Sequence, residues 1–216
     1  VTYHTPLGSV SCKILYTDEM KRAGASITWI SEHVIKEPRD YKILGYIFKN
    51  MKIHPDYENY LEFKKKVGDK GFAAAFANLS ASPMHHIMKE FLDATKFYLE
   101  MYDHPKEMRQ LCDDMEPYFD QIFRVLADSP AEVVFSGANY DEMITYPPFF
   151  EKEIQPWIRK AADFLGPKGK FVSCHCDGEN QGLMDLIRDT GMHVAESICP
   201  APMTKVPIEE YYRRWS

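Results

Sequence analysis

A chain of 216 residues with 45% hydrophobic and 27% charged side chains has enough apolar material for a packed core, which excludes a disordered tail or a low-complexity segment. The net charge is −6 and no basic cluster stands out, Lys64-Lys65-Lys66 being short, so the balance argues against a nucleic-acid partner. No apolar run approaches the roughly 18 residues of a membrane span, and Val1-Thr2-Tyr3-His4 does not have the form of a secretory signal.

The first 50 residues read as a strand-rich excursion followed by a helix. Tyr3 to Val10 holds a Pro6-Leu7-Gly8 turn between extended pieces, and Ile27 to Ser31 is a second short strand, the two expected as an antiparallel pair. Glu37-Pro38-Arg39-Asp40 opens a helix to about Lys49, with proline in its first turn, and His54-Pro55-Asp56-Tyr57 opens another to about Val67. Phe72 to Ala77 is short and is followed by a turn-rich stretch from Asn78 to Pro83, which favours a buried strand over the helix its alanines would allow. Helices are predicted over Met84 to Asp103 and Pro105 to Ala127, separated because the residue before proline avoids helix.

From residue 132 the pattern is regular. Glu132 to Gly137 is a strand, Pro147 to Leu165 a helix, Lys170 to Cys176 a strand, Gly182 to Thr190 a helix, His193 to Ile198 a strand, and a further helix starts at Pro207. That alternation predicts βα units and a parallel sheet over residues 70–216, within a single α/β domain. The five cysteines, at 12, 112, 174, 176 and 199, form no paired framework, which points to a reducing, cytoplasmic setting.

Cys174-His175-Cys176-Asp177-Gly178 closes the strand that starts at Lys170, the place where parallel α/β folds carry their chemistry. Strand alternation sends His175 and Asp177 to one face and the two cysteines to the other, as small buried residues. His175 and Asp177 can serve as metal ligands, as a metal-free catalytic pair, or as a hydrogen-bonded strand end. Glu196, at the end of the following strand, is a third candidate. Asn139, Tyr140 and Asp141 follow the strand ending at Gly137 and are candidate substrate contacts, with an Asx-type turn as the rival role. His85 follows Ser82-Pro83 on a similar loop and is a further candidate contact.

Several fragments, in their order and spacing, resemble the uroporphyrinogen decarboxylase superfamily. They are Tyr3-His4-Thr5-Pro6-Leu7-Gly8, Trp29 with Glu32-His33-Val34-Ile35-Lys36, Tyr102-Asp103-His104-Pro105, Gly137-Ala138-Asn139-Tyr140-Asp141, Phe149-Phe150-Glu151-Lys152, and His175-Cys176-Asp177-Gly178. The resemblance implies a (β/α)8 TIM-barrel fold. About four barrel strands are present, near residues 72, 133, 171 and 194, so the barrel is expected to be incomplete, with edges open to a partner copy or a missing segment.

The superfamily contains decarboxylases of tetrapyrrole carboxylates (porphyrin-pathway lyases) and methyltransferases that use corrinoids and thiols. Of a Gly-Phe-x-Gly-Ala-Pro-Phe-Thr-like stretch in the decarboxylases this chain keeps only Gly71-Phe72, which sets methyl transfer ahead of decarboxylation; a corrinoid- or tetrapyrrole-binding module without turnover is the third reading. The methyltransferases hold zinc through His-x-Cys at a strand end and a distant Cys, joined in one branch by a Glu from the next strand. Bound zinc lowers the pKa of a thiol and makes it a nucleophile. By this resemblance His175, Asp177 and Glu196 are the metal set, more oxygen-rich than the usual zinc site. The implied partners are a small-molecule substrate, a corrinoid protein and a second copy of the chain in a homodimer.

Overall fold

The structure, a computed structural model, describes residues 1–78 and 80–215. The chain divides into two compact units, Val1–Met51 with His86–Tyr118, and Lys52–His85 with Phe119–Ser216.

The first unit begins with two antiparallel ribbons. Strands β1 (Thr2–Thr5) and β2 (Gly8–Ser11) form a hairpin, and β3 (Lys13–Leu15) pairs with β4 (Trp29–Glu32). The extended pieces therefore pair differently from expectation. The Pro6-Leu7-Gly8 segment closes a local hairpin, Gly8 taking φ +131°, and the second strand finds Lys13–Leu15 instead. The helix Arg39–Asn50 buries Tyr41, Leu44 and Phe48, which lie on one face at helical spacing. Asp40 secures its start, its carboxylate accepting the N–H groups of Lys36 at 2.8 Å and Glu37 at 3.1 Å.

The helix predicted over Met84 to Asp103 is broken. A turn at Pro83–His86 runs into a wider π-type turn at Ile87–Phe91, and a new helix, Ala94–Asp103, starts after Asp93. The physical reason is the Asp93 side chain, which caps the second helix by accepting the Lys96 N–H at 2.9 Å.

His86 packs edge-on against Phe48 and Phe91, with ring centroids 6.0 and 4.9 Å away, and its Nδ1 is shut off from solvent. Burial, with Lys89 nearby, pushes it down to about 4. The folded state therefore keeps this ring neutral over a pH range in which the unfolded chain protonates it. Stability from this group is full above about pH 6.5, falls as the pH drops toward about 4, and falls no further below that. Urea unfolding should lose about 1–3 kcal/mol between roughly pH 7 and pH 4 through this group. His86→Phe should flatten that loss; an equally steep loss in the variant would assign it to other residues.

The second unit is a four-stranded parallel sheet in the order β5-β6-β7-β8, made of β5 (Ala74–Asn78), β6 (Val133–Ala138), β7 (Phe171–His175) and β8 (Val194–Glu196). The predicted strands and their parallel sense are those observed. Among the described residues β5 and β8 do not pair with each other, so the sheet is open. The turn expected over 78–83 includes Leu79, which lies outside the described residues.

The helix Gln155–Leu165 turns Ile158, Ala161, Ala162 and Leu165 inward and packs on β7. It is preceded by a π-type turn at Phe150–Ile154, just before Pro156, whose ring and missing N–H do not permit a regular helical bond there. The helix expected over Gly182 to Thr190 is shorter, Met184–Arg188, after a 3-10 turn at Gln181–Leu183. The final helix, Ile208–Trp215, ties back to it through the Trp215 indole N–H, which donates to the Met184 carbonyl at 2.9 Å.

One glycine fixes the approach to the strand ends. Gly137 has φ +96°, and a Cβ there would lie 2.2 Å from the Tyr140 hydroxyl and 2.9 Å from the Ala81 Cβ. The bend at the end of β6 thus depends on the absence of a side chain.

Candidate functional site

The ends of β6, β7 and β8 lie side by side, Ala138 opposite His175 and His175 opposite Glu196. Register alone therefore brings together side chains distant in sequence. His175 stands at the centre. Its Nδ1 bonds the Glu196 carboxylate, and its Nε2 lies 3.3 Å from an Asp177 oxygen. Beyond these, the Asn139 amide donates to both Asp177 oxygens, at 3.2 and 3.3 Å, and the Ser197 hydroxyl donates to Glu196. The result is one polar row, Asn139–Asp177–His175–Glu196–Ser197, across three strand ends, hydrogen-bonded except between Asp177 and His175, which lie in ion-pair contact.

Both terminal members of the row have left-handed backbones, φ +61° at Asn139 and +55° at Ser197. Asparagine tolerates this conformation; for serine it costs roughly 1–2 kcal/mol. Backbone bonds hold the same geometry: the Asn139 N–H donates to the His175 carbonyl at 3.0 Å, and the Cys176 N–H to the Glu196 carbonyl at 2.8 Å. Burial works against the charge on Glu196, but the hydrogen bonds from Ser197 and His175 outweigh it and hold the carboxyl below its ordinary range. The His175 side chain is 28% exposed and that of Asp177 36%, so both are reachable from solvent. Phe135 lies beside the imidazole, ring centroids 6.2 Å apart, and stacks on Phe76 at 5.1 Å.

The other residues singled out in the sequence lie elsewhere. Tyr140 is fully buried, edge-on to Phe150 at 5.2 Å and tilted against His85 at 5.8 Å, and burial pushes its phenol up. His85 is also fully buried, its Nδ1 accepting the Ala81 N–H at 3.2 Å. Asp141 organises loops: its carboxylate accepts the N–H groups of Met143 at 2.8 Å and Glu179 at 3.1 Å. That is the Asx-type role. Cys174 and Cys176 are buried as strand alternation requires, and burial raises both thiols, Cys174 to about 12.

The sequence reading did not single out Ser197, nor a brace formed by Glu142, Glu179 and Lys205. The Lys205 ammonium reaches Glu142 at 2.7 Å and its backbone N–H reaches Glu179 at 2.7 Å, while Glu142 also accepts the Gly182 N–H at 2.6 Å. This network ties together the loops that follow β6, β7 and β8. The only sequence signal for Ser197 was its place next to Glu196 at a strand end. Lys205→Met should loosen the loop at 197–207 with little effect on overall stability, since the ammonium is largely exposed. Hydrogen exchange of that loop should quicken by a few-fold; unchanged exchange would mean the backbone bonds alone hold it.

The 3.3 Å between His175 Nε2 and Asp177 matches one edge of a tetrahedral site with bonds of about 2.0–2.1 Å. Glu196, however, occupies the opposite ring nitrogen, the position of a carboxylate that orients a histidine rather than one that shares its ion. Among the described residues no group of three or more His, Cys, Asp or Glu side chains is placed to hold a metal. As arranged, these residues do not fit a zinc ion held by three protein ligands.

No family model matches the sequence, and no curated protein matches it. Among solved structures the fold is similar to a methyltransferase from Methanosarcina mazei, at 11% identity and a TM-score of 0.49, over 77% of this chain and 48% of that one. The chain thus spans about half the length of that structure. No helix among the described residues is long and apolar enough to cross a membrane.

Proposed function

We propose that this chain carries the active site of an enzyme of the uroporphyrinogen decarboxylase superfamily, on its methyl-transfer side, with a small thiol as methyl acceptor. In this reading the open sheet is part of a (β/α)8 barrel, and the methyl donor is the corrinoid that the sequence resemblance implies, brought by a partner protein. The observation that carries the proposal is the imidazole of His175 held between two carboxylates at the carboxyl ends of adjacent parallel strands. Active sites of parallel βα folds lie at these ends.

The chemistry follows from the row of residues. Glu196 fixes the ring through Nδ1, leaving Nε2 to face the substrate side with Asp177. Nε2 takes the proton from the acceptor thiol, and Asp177 stabilises the imidazolium that results. The thiolate sulfur then forms the new bond to the methyl carbon, and the bond from that carbon to the donor breaks with its electron pair leaving on the donor. No metal takes part in this scheme, in keeping with the split donor set. A substrate with many carboxylates would meet Asp177 and Glu196 as like charges, which disfavours the tetrapyrrole decarboxylase reading.

The test is transfer of a methyl group from a methylated corrinoid to a thiol, measured before and after exhaustive chelation, with His175→Ala alongside. Turnover that survives chelation and is lost in the variant supports the reading. Turnover restored only by added zinc would replace the metal-free scheme, and full turnover in His175→Ala would remove this site from the reaction.

A further inference from the structure

Asp177 stands beside the ring nitrogen of His175 that Glu196 leaves open, and does not bond it. One Asp177 oxygen lies 3.3 Å from Nε2 in ion-pair contact, and that same oxygen accepts the Asn139 amide at 3.3 Å. The other oxygen accepts the same amide at 3.2 Å. Among the described residues no other group donates a hydrogen bond to this carboxylate. The amide is itself fixed from the backbone side. The Asn139 N–H donates to the His175 carbonyl at 3.0 Å, at a φ of +61° that asparagine and glycine reach with little strain. One residue therefore grips the end of β7 at two points, the main chain of His175 and the side chain of Asp177. This grip bears on the chemistry of the ring. Glu196 is a carboxylate bonded to Nδ1, so the proton of the neutral ring sits on Nδ1 and Nε2 carries a lone pair. A carboxylate set against a lone pair is repelled by it, and an untethered Asp177 would turn outward to the solvent it already reaches.

We propose that Asn139 is a positioning residue, whose amide holds the Asp177 carboxylate beside Nε2 of His175 and out of a hydrogen bond with it. The lone pair of Nε2 then stays open to an incoming proton. Once the imidazolium forms, the shared oxygen has to close only from 3.3 Å to the ~2.7–2.9 Å of a charge-assisted bond. Asp177 is thus kept ready for the charged ring without capturing the neutral one. No other residue type does this as well at position 139. Aspartate has the same shape and accepts the positive φ, but it brings no N–H and sets a charge against Asp177. Glycine keeps the backbone and leaves the carboxylate untethered. The part that Asn139 plays in turnover rests on the methyl-transfer reading; its hold on Asp177 does not.

The experiment compares the 216-residue chain with Asn139→Gly and Asn139→Asp, which both suit the backbone and both lack the amide donor. Melting followed by circular dichroism checks that the variants fold. The first readout is the pair of nitrogen-15 resonances of the His175 ring, identified by their absence in His175→Ala. The second is kcat and KM for the thiol in transfer from a methylated corrinoid. The Nε2 resonance should shift in both variants, while that of Nδ1, held by Glu196, stays near its wild-type position. The kcat should fall by about 10–100-fold, the usual effect of removing a residue that orients a site, with KM changed less than twofold. An Nε2 resonance unmoved in both variants would overturn the proposal, whatever the rates. A raised KM at unchanged kcat would also overturn it, making Asn139 a substrate contact. If the wild type transfers no methyl group, the methyl-transfer reading falls, and the Nε2 resonance alone decides whether Asn139 holds Asp177 in place.

Discussion

Gly178→Ala should lower the melting temperature by roughly 5–15 °C, the equivalent of about 2–4 kcal/mol for a chain of this size. A Cβ at position 178 would lie 2.2 Å from the Tyr140 carbonyl oxygen, 2.9 Å from its carbonyl carbon and 2.9 Å from the Asp141 Cβ. The nearest atoms are backbone, so no rotamer change relieves the clash. The loops concerned are also stitched together, the Asn139 N–H to the His175 carbonyl at 3.0 Å and the Glu142 N–H to the Glu179 carbonyl at 2.8 Å. Making room for one methyl group means parting these loops, and with them Asn139 from Asp177. The variant should therefore lose activity along with stability, while a melting curve within about a degree of wild type would show that the loops yield more easily than their bonds imply.

The second large effect concerns catalysis. His175→Ala should lower the rate of methyl transfer by about 10²–10⁴-fold, the usual contribution of a positioned general base. Glu196→Ala should lower it less, by about 10–100-fold, since the ring keeps its place in the strand and loses only the partner that orients it. The imidazole is partly exposed and outside the packed core, so folding should survive both changes. Melting curves like wild type with graded rates are the expected pattern. A rate in His175→Ala above half of wild type would sink the assignment.

Much of the sheet was legible because its signals are local. Apolar runs bounded by glycine and proline located β5 to β8, and the helices between them made the sheet parallel. The pairing of Lys13–Leu15 with Trp29–Glu32 was not legible, since ribbon partners depend on what the intervening loop can close. The break at Leu92–Asp93 was hidden because Asp93 reads equally well inside a polar helix face or as a cap.

For the site, strand alternation placed His175 and Asp177 together, and one more strand end added Glu196. Which side of the imidazole each carboxylate takes is set by the register of β7 against β8, and no one-dimensional pattern encodes it. Tyr140 and His85 looked like loop residues available to substrate. Their burial follows from the bend at Gly137, whose sharpness became visible only with its positive φ.

The two cysteines beside the site give the sheet a clock. Cys174 and Cys176 are sealed and their thiols are raised, so an alkylating reagent, which attacks thiolate, reaches them only when β7 opens. Cys12 and Cys199 are partly exposed and should react at once. Labelling under native conditions should thus show a fast phase from the exposed thiols and slow phases from the three buried ones, Cys112, Cys174 and Cys176; read at the peptide that carries Cys174 and Cys176, the slow rate reports the opening free energy of the strand that bears His175. The stability of that strand can then be followed by peptide mass, without knowing the substrate.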